Sequence, residues 1–403
     1  MTEAARDDPA RKRWVILAVI VLAQTVANIG PLGIPAIASL IRADLDLTLA
    51  QAGSFLSVYY IGPVVMSIFA GVLADRWGTA KTLVLGQAII AVGLLAVSGA
   101  GSYPLFLTLM AVAGVGYGTL NPASTTAAMS WFPPRQRATV VGLKQVGLPF
   151  GGMLGAAIVP ALALALGWRS AIIVSALLIG ACGALSAAVY RDPPGAPLPR
   201  RQPGERGRLA LVLTNRDLWL VSVATLVFAG MQTVWMAFLA LYLEAVVGLG
   251  LLPASRYLAI AQGGGVLGRV AFGLLSDRVF GGRRRLPLAI AGCGSALCTV
   301  ALAYTGPGAG ATWLGPLALV FGFVGIGWNG VQHTLMAELA GPRTAGTAVG
   351  LGLAISSLGV TIGPLIFGWC VGAAGGFRGP WIGLALVMLG GLALLSLVRE
   401  RPL

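Results

Sequence analysis

Two cations, Lys144 and Arg269, stand within long apolar stretches of the sequence and have no acid beside them. A charge inside an apolar medium is costly unless a partner or hydrogen bonds compensate it. Arg donates two parallel hydrogen bonds that fit a carboxylate, and Lys supplies a compact point charge. The pair therefore predicts a bound anion, and Gln262, seven residues before Arg269, shares its helix face. A second interpretation remains open, in which Lys144 extends to the aqueous interface or both cations bond backbone carbonyls.

Neutral polar side chains occur at helical spacing in other apolar stretches. Gln24 and Asn28 are four residues apart and so share one helix face. Two further stripes begin at Asn121 and at Asn329, and equivalent positions follow in each. Such groups either line a water-filled cavity or join helices by hydrogen bonds, and the matching of the two stripes favours the cavity. The candidate substrate-binding residues are Gln24, Asn28, Asn121, Lys144, Gln145, Gln262, Arg269, Asn329, Gln332 and His333.

The composition identifies the medium in which these residues must be positioned. Hydrophobic residues make up 57% of the 403 residues, charged residues only 10%, and the mean hydropathy is +0.87. A soluble domain carries about 25% charged residues, and apolar runs of about 20 residues are long enough to cross a bilayer. We therefore predict an all-α membrane protein with twelve spans. The predicted spans are 14–40, 50–74, 80–100, 103–131, 138–165, 170–190, 217–243, 253–276, 286–305, 311–339, 344–373 and 379–398.

The net charge of +14 reflects membrane topology rather than a nucleic-acid partner. Most Lys and Arg residues fall in alternate loops and near the two termini. Only Arg42, Arg169, Arg256 and Arg378 lie in the other loops. Loops on the cytoplasmic side are enriched in Lys and Arg. This asymmetry predicts that both termini and the middle linker are cytoplasmic, in an inner membrane of the bacterial type.

The sequence repeats itself once. GVLADR at 71–76 matches GLLSDR at 273–278, and the residues around Asn121 match those around Asn329 at a constant offset of 208. The Pro- and Arg-rich stretch between the repeats cannot continue a helix. We therefore predict a six-helix bundle at 1–190, a linker at 191–216 and a second bundle at 217–403. Two parallel halves with a site between them are a known plan of secondary transporters.

The stretch GVLADRWGTAK at 71–81 resembles the loop signature of the major facilitator superfamily. GLLSDRVFGGRRR at 273–285 resembles its second copy, although Phe280 replaces the loop glycine. The resemblance implies that spans 1, 4, 7 and 10 line a cavity and that spans 3, 6, 9 and 12 face lipid. Transporters of organic anions in this superfamily often carry an Arg at the position that Arg269 resembles.

The resemblance also implies a gate at these loops. Acids and arginines there pair across the two halves and hold the outward-facing state, although an alternative role is only to fix topology and loop shape. The candidate gating residues are Asp75, Arg76, Asp277 and Arg278.

Together these features predict a secondary transporter that moves a small organic anion, a mono- or dicarboxylate, by alternating access. We also expect a coupling proton or counter-anion as a partner, contact with membrane lipid, and a monomeric protein. One alternative is a proton-coupled exporter of drug-like molecules, although two cations would repel a cationic drug. Another is a non-transporting receptor on the same fold. No nucleophile–base pair, metal-ligand cluster or nucleotide-binding motif is present in the sequence, so neither an enzyme nor a cofactor or metal is expected.

Overall fold

The computed structural model describes residues 9–192, 210–341 and 344–400. Within these ranges it contains twelve helices that are long and apolar enough to cross a membrane. They agree with the predicted spans to within a few residues at most ends. The main helices of these spans, some of which continue in further segments, are α1 Pro9–Gly33, α2 Phe55–Trp77, α3 Thr79–Ser98, α4 Tyr103–Trp131, α5 Pro134–Leu166, α6 Trp168–Val189, α7 Arg216–Ala245, α8 Leu251–Arg278, α9 Arg285–Ala303, α10 Ala311–Phe321, α11 Ala345–Ala374 and α12 Arg378–Ser396.

Three spans contain a local departure from a regular helix. α1 continues through a 3-10 turn, Ile34–Ile37, into a short helix, Ala38–Asp44. The short helix Leu49–Gly53 precedes α2. α10 continues through a wider π turn, Gly322–Ile326, into a second helix, Asn329–Ala340. A π turn holds an extra residue, so it rotates the side chains that follow it around the helix axis.

Four spans expose aliphatic side chains on the outside of the bundle, as a lipid-facing position requires. Val92 of α3 is 65% exposed, Leu177 of α6 60%, Leu297 of α9 70% and Leu386 of α12 62%. By contrast, α7 is buried along almost its whole length. Gln87 of α3 donates a hydrogen bond of 3.0 Å to Ser186 of α6 and therefore joins two helices. The exposure of these four spans agrees with the lipid-facing positions that the superfamily resemblance implies for them, whereas the assignment of spans 1, 4, 7 and 10 to a cavity stays a prediction.

The bundle has two chemically different ends. The end that carries Lys12, Arg137 and Arg284, here called the basic end, contains the loops after α2 and α8. The opposite end carries Arg42 and Arg169. Because successive helices alternate in direction, the basic residues gather at one end of the bundle.

The two halves meet closely at the opposite end. Gly53 lies against the ring of Phe238, and a Cβ atom at Gly53 would come within 1.9 Å of that ring. Gly368 of α11 approaches Ala50 in the same way, at 3.1 Å from a Cβ position to the Cα atom. Small residues permit such close helix packing. The bundle is therefore closed at the opposite end in this conformation.

Candidate functional site

Lys144 lies in α5, and its side chain is fully buried, with 0% exposure. Its ammonium donates to the backbone oxygen of Asn121 at 3.1 Å, to the Oδ1 atom of Asn121 at 2.5 Å and to Oγ1 of Thr125 at 3.0 Å. An ammonium has three donors, and neutral acceptors of α4 occupy all three. Lys144 therefore does not reach the aqueous interface in this conformation, and the other alternative, in which both cations bond backbone carbonyls, describes contacts that the structure contains. In this conformation Lys144 joins α4 to α5 within the first half.

Arg269 of α8 makes a hydrogen bond between the halves. Its Nη1 atom donates to the backbone oxygen of Gln145 at 2.6 Å. In a regular helix this carbonyl would accept from the N–H group four residues later, but that residue is Pro149, which has no N–H. The sequence of α5 thus supplies an acceptor that its own helix leaves free. The side chain of Gln145 is not needed for this contact.

Arg269 keeps unused donor capacity. Its Nε atom is buried and has no hydrogen-bond partner among the described residues. Tyr60 and Tyr117 lie beside it and interact with its charge, and their rings pack edge to face at 6.2 Å. Lys144 is near enough for the two cations to repel each other. No carboxylate contacts either cation within the described ranges, so an anion would complete this charge distribution.

The polar residues of α1 and α4 form a network next to these cations. Gln24 donates from Nε2 to the hydroxyl of Tyr117 at 3.1 Å, and its Oε1 accepts from Ser124 at 3.4 Å. Asn28 donates from Nδ2 to the backbone oxygen of Gln24 at 2.6 Å. Gln262 of α8 lies nearby against Gly152 of α5. The structure thus brings the first-half candidates together with both candidates of α8.

In the second stripe of candidates, Asn329 and Gln332 make their contacts elsewhere, whereas His333 lies within electrostatic range of both Arg269 and Lys144. Asn329 donates to Oε1 of Gln232 in α7 at 3.3 Å, and Gln332 packs against Gly352 of α11. Both contacts lie inside the second half. His333 interacts electrostatically with Arg269 and makes no hydrogen bond within the described residues. The π turn before Asn329 explains the difference, because it changes the direction of the side chains that follow.

Tyr117 and Gln232 take part in these networks but were absent from the sequence-based candidates. Tyr117 precedes Asn121 by four residues, so its helical spacing places it on the polar face of α4. That spacing was a usable signal. Gln232 stands alone in an apolar helix, and only its hydrogen bonds from Trp328 at 3.1 Å and from Asn329 show its role.

The profile of the Major Facilitator Superfamily matches residues 15–360. The chain belongs to the Major Facilitator Superfamily. It is therefore a multi-pass membrane transporter rather than an enzyme.

Solved structures of superfamily members share the fold. A bacterial homolog of the human lysosomal transporter Spinster, in an inward-facing and unoccupied conformation, aligns with a TM-score of 0.82 and 17% identity. That alignment covers 97% of this chain and 99% of the homolog. A mutant of the nucleoside transporter NupG aligns with a TM-score of 0.77 and 15% identity, over 95% of this chain and 97% of that one. At these identities the likeness shows the fold alone.

Similar superfamily members carry names that denote organic acids. The probable sulfoacetate transporter SauU of Cupriavidus necator is 28% identical, over 95% of this chain and 93% of that protein. The hexuronate transporter of Bacillus subtilis is 26% identical, over 91% and 89%. The cis,cis-muconate transport protein of Acinetobacter baylyi is 25% identical, over 87% and 84%.

The superfamily loop after α8 forms an ion-pair network at the basic end. Arg284 donates to Asp277 and, at 3.1 Å, to Glu338. Partial burial would lower the pKa of Arg284, but hydrogen bonds and charges from Glu338 and Asp277 outweigh it and raise that pKa. Arg278 is exposed and makes no ion pair within the described part of the chain. Asp277 therefore pairs inside its own half here, and a pairing across the halves stays a prediction for another state.

The corresponding loop after α2 is held by residues that follow α6. The backbone N–H of Ala80, in the first turn of α3, donates to both carboxylate oxygens of Asp192 at 3.2 and 3.3 Å. A carboxylate at a helix N-terminus compensates N–H groups that have no helical partner. Arg76 is exposed, and the side chain of Asp75 lies outside the described part. The start of the predicted linker is thus anchored to the first half.

Proposed function

We propose that this transporter carries a small organic anion with a carboxylate or similar acid group, and that it does so by alternating access. Arg269 carries the proposal, because its guanidinium contacts the other half and its buried Nε donor lacks a partner among the described residues. An Arg guanidinium presents parallel donors that fit a planar acid group. Lys144 supports the same reading as a second basic group close by.

The names of the similar proteins support an acid substrate. Sulfoacetate, hexuronate and muconate differ in size, but each carries an acid group. A site that holds one acid group with an arginine is compatible with all three. The shared chemistry therefore supports the substrate class.

The contact between Arg269 and Gln145 suggests how binding is linked to movement. This hydrogen bond joins α8 to α5, which belong to different halves. The halves are closed at the opposite end, and rocking them open there changes the separation between these helices. An anion that accepts from Arg269 replaces the carbonyl as its acceptor and so lowers the cost of breaking the contact. The substrate thereby makes the transition between states easier.

The direction of opening follows from the charge distribution. Loops enriched in Lys and Arg remain in the cytoplasm. We therefore propose a bacterial inner membrane with the basic end and both termini in the cytoplasm, so that this conformation is inward-facing. A proton that travels with the acid, or a counter-anion, is the proposed coupling partner, because no carboxylate contacts the two cations in the described ranges.

Thermal unfolding of the purified transporter tests the substrate class. A ligand present at 100 times its Kd stabilises the folded protein by about 2.7 kcal/mol. We expect carboxylates to raise Tm, whereas their neutral amides have no effect. Arg269→Ala should remove the shift. A drug-exporter function would instead give stabilisation by neutral aromatic compounds in both proteins, and that outcome would overturn the proposal.

A further inference from the structure

Gln262 is a buried amide that no group of the described residues satisfies. It is 1% exposed and makes no hydrogen bond within the described residues, and its Oε1 atom is fully buried. Buried polar groups in native proteins are nearly always hydrogen-bonded, so an exception requires an explanation. Because Gln262 lies at the interface between two transporter halves, the simplest explanation is a ligand group that forms hydrogen bonds with its amide.

Asn28 presents a second unsatisfied amide oxygen beside it. Asn28 is 0% exposed, and its Oδ1 atom has no partner in the described part of the chain, although its Nδ2 is bonded. Both amides approach the same turn of α5. A Cβ atom at Gly151 would lie 2.9 Å from Cβ of Asn28, and one at Gly152 would lie 2.6 Å from Nε2 of Gln262. The missing side chains at these glycines allow the two amides to reach this level.

This pair of amides lies at a different depth from the arginine contact. Gln262 precedes Arg269 by seven residues on α8, and Gly152 follows Gln145 by seven residues on the antiparallel α5. Seven residues correspond to about 10 Å along a helix axis. The two helices therefore form two levels, one with a cation and one with neutral amides.

The level formed by the neutral amides of Gln262 and Asn28 disfavours a second acid group of the ligand. No ionised side chain contacts Gln262 or Asn28 within the described residues, so a second carboxylate there would be desolvated without a counter-charge. A hydroxyl both donates and accepts, which complements an amide that offers both functions. The chemistry of the amide level thus matches a hydroxylated and uncharged part of a ligand.

We infer that the substrate is a hydroxylated monoanion, such as a sugar acid. Its acid group binds Arg269, and hydroxyls at its other end bind Gln262 and Asn28. The inference rests on the proposed function, since it assigns the second end of the same anion.

Binding of three six-carbon acids to the full-length transporter tests the inference. Gluconate carries one acid group and several hydroxyls, hexanoate has the same acid group without hydroxyls, and adipate has a second carboxylate. We expect gluconate to have the lowest Kd. Gln262→Met, which keeps the shape of the side chain but removes its amide, should raise the Kd of gluconate on the order of tenfold and leave that of hexanoate unchanged.

Gln87→Met is the matched control, because Gln87 is equally buried but joins α3 to α6. It should leave the ratio of the two Kd values as in the wild type, even if it lowers Tm. Equal binding of gluconate and hexanoate by the wild type, or tighter binding of adipate, would overturn the hydroxylated monoanion while leaving an anion transporter. Failure to bind any of a wider set of acids would overturn both proposals.

Discussion

Arg269 and Gln145 form a hydrogen bond of 2.6 Å between the halves, and its acceptor is a main-chain carbonyl. A contact of this kind depends on the position of the backbone rather than on the residue type at 145. It also leaves part of the guanidinium available, since Nε is unpartnered among the described residues.

Substitutions of Arg269 should therefore distinguish the contribution of its charge to anion affinity from the contribution of its donor geometry. Losing one member of a buried charged pair costs about 2–5 kcal/mol, so Arg269→Ala should raise the Kd of a bound acid by well over tenfold. Arg269→Lys should restore only part of the affinity, because it keeps the charge but loses the planar arrangement of donors. Gln145→Ala is the control and should change little. Unchanged anion affinity in Arg269→Ala, measured by titration, would contradict the anion site.

Lys144 should affect stability more than affinity. Its three donors are bonded to α4, so Lys144→Met leaves buried acceptors without partners and should cost about 1–3 kcal/mol of stability per unsatisfied group. Thr125→Val removes one of the acceptors and should lower Tm less. We expect the Kd for an acid to rise less in Lys144→Met than in Arg269→Ala. A loss of affinity equal to that of Arg269→Ala at unchanged Tm would show direct contact with substrate.

Gly53 should control closure at the opposite end. A Cβ atom there would lie 1.9 Å from the ring of Phe238, a distance that forces the two halves apart. We expect Gly53→Val to increase labelling of a cysteine placed at Ala50, which packs against the other half, and to slow transport several-fold. Gly101→Val adds the same group where nothing lies within 4 Å and should behave like the wild type. Equal labelling in both variants would exclude this closure contact.

Substitution of the acids in the two superfamily loops should change the transport rate more than the affinity for substrate. Asp75→Asn and Asp277→Asn remove charge but keep shape, and both positions lie at the basic end, away from Arg269. Arg284→Gln should resemble Asp277→Asn because the two side chains are paired. The carboxylate of Asp277 is exposed, and an exposed ion pair contributes only about 0.2–1 kcal/mol, so Tm should hardly change in Asp277→Asn. Arg284 is only 11% exposed and also pairs with Glu338, so Arg284→Gln should lower Tm more.

Arg278→Gln serves as the control for this series, since Arg278 makes no ion pair among the described residues. Transport into liposomes and substrate binding should be measured for every variant. Normal transport in both Asp variants would mean that these acids only fix topology and loop shape.

The orientation of the chain can be tested with cysteine labelling. In a variant without the native cysteines, a membrane-impermeant reagent applied to intact cells should not label a cysteine at Gln202, in the predicted cytoplasmic linker. A cysteine at Gly101, in the loop between α3 and α4 at the opposite end, should be labelled. The reverse pattern would invert the proposed topology.

The spans and the membrane setting could be predicted from the sequence because they depend on local composition, and the family could be predicted from a repeated motif. Lys144 and Arg269 were recognisable for the same reason, as charges inside apolar stretches. Their partners were not. The bonds from Lys144 to Asn121 and Thr125 depend on how α4 packs on α5, and that packing has no signature in one segment.

The stripe at Asn329 shows a different limit. The constant offset of 208 suggested that Asn121 and Asn329 have equivalent roles. The π turn Gly322–Ile326 inserts an irregularity that sequence spacing alone does not reveal, and Asn329 instead bonds Gln232. Equivalent sequence positions therefore do not occupy equivalent places around the cavity.

Pro149 is a second difference between the two halves. The residue at the same offset in the second half is Ser357, which has a backbone N–H and leaves no carbonyl free. If the halves descend from a duplicated ancestor, they have diverged at this position, and only the first half supplies the carbonyl acceptor for Arg269. On that view duplication supplied a symmetric scaffold, and divergence of the two copies supplied an unsymmetrical site for an unsymmetrical molecule. Drift of the side chain at 145 would leave that site intact, whereas loss of Pro149 would return its carbonyl to the helix.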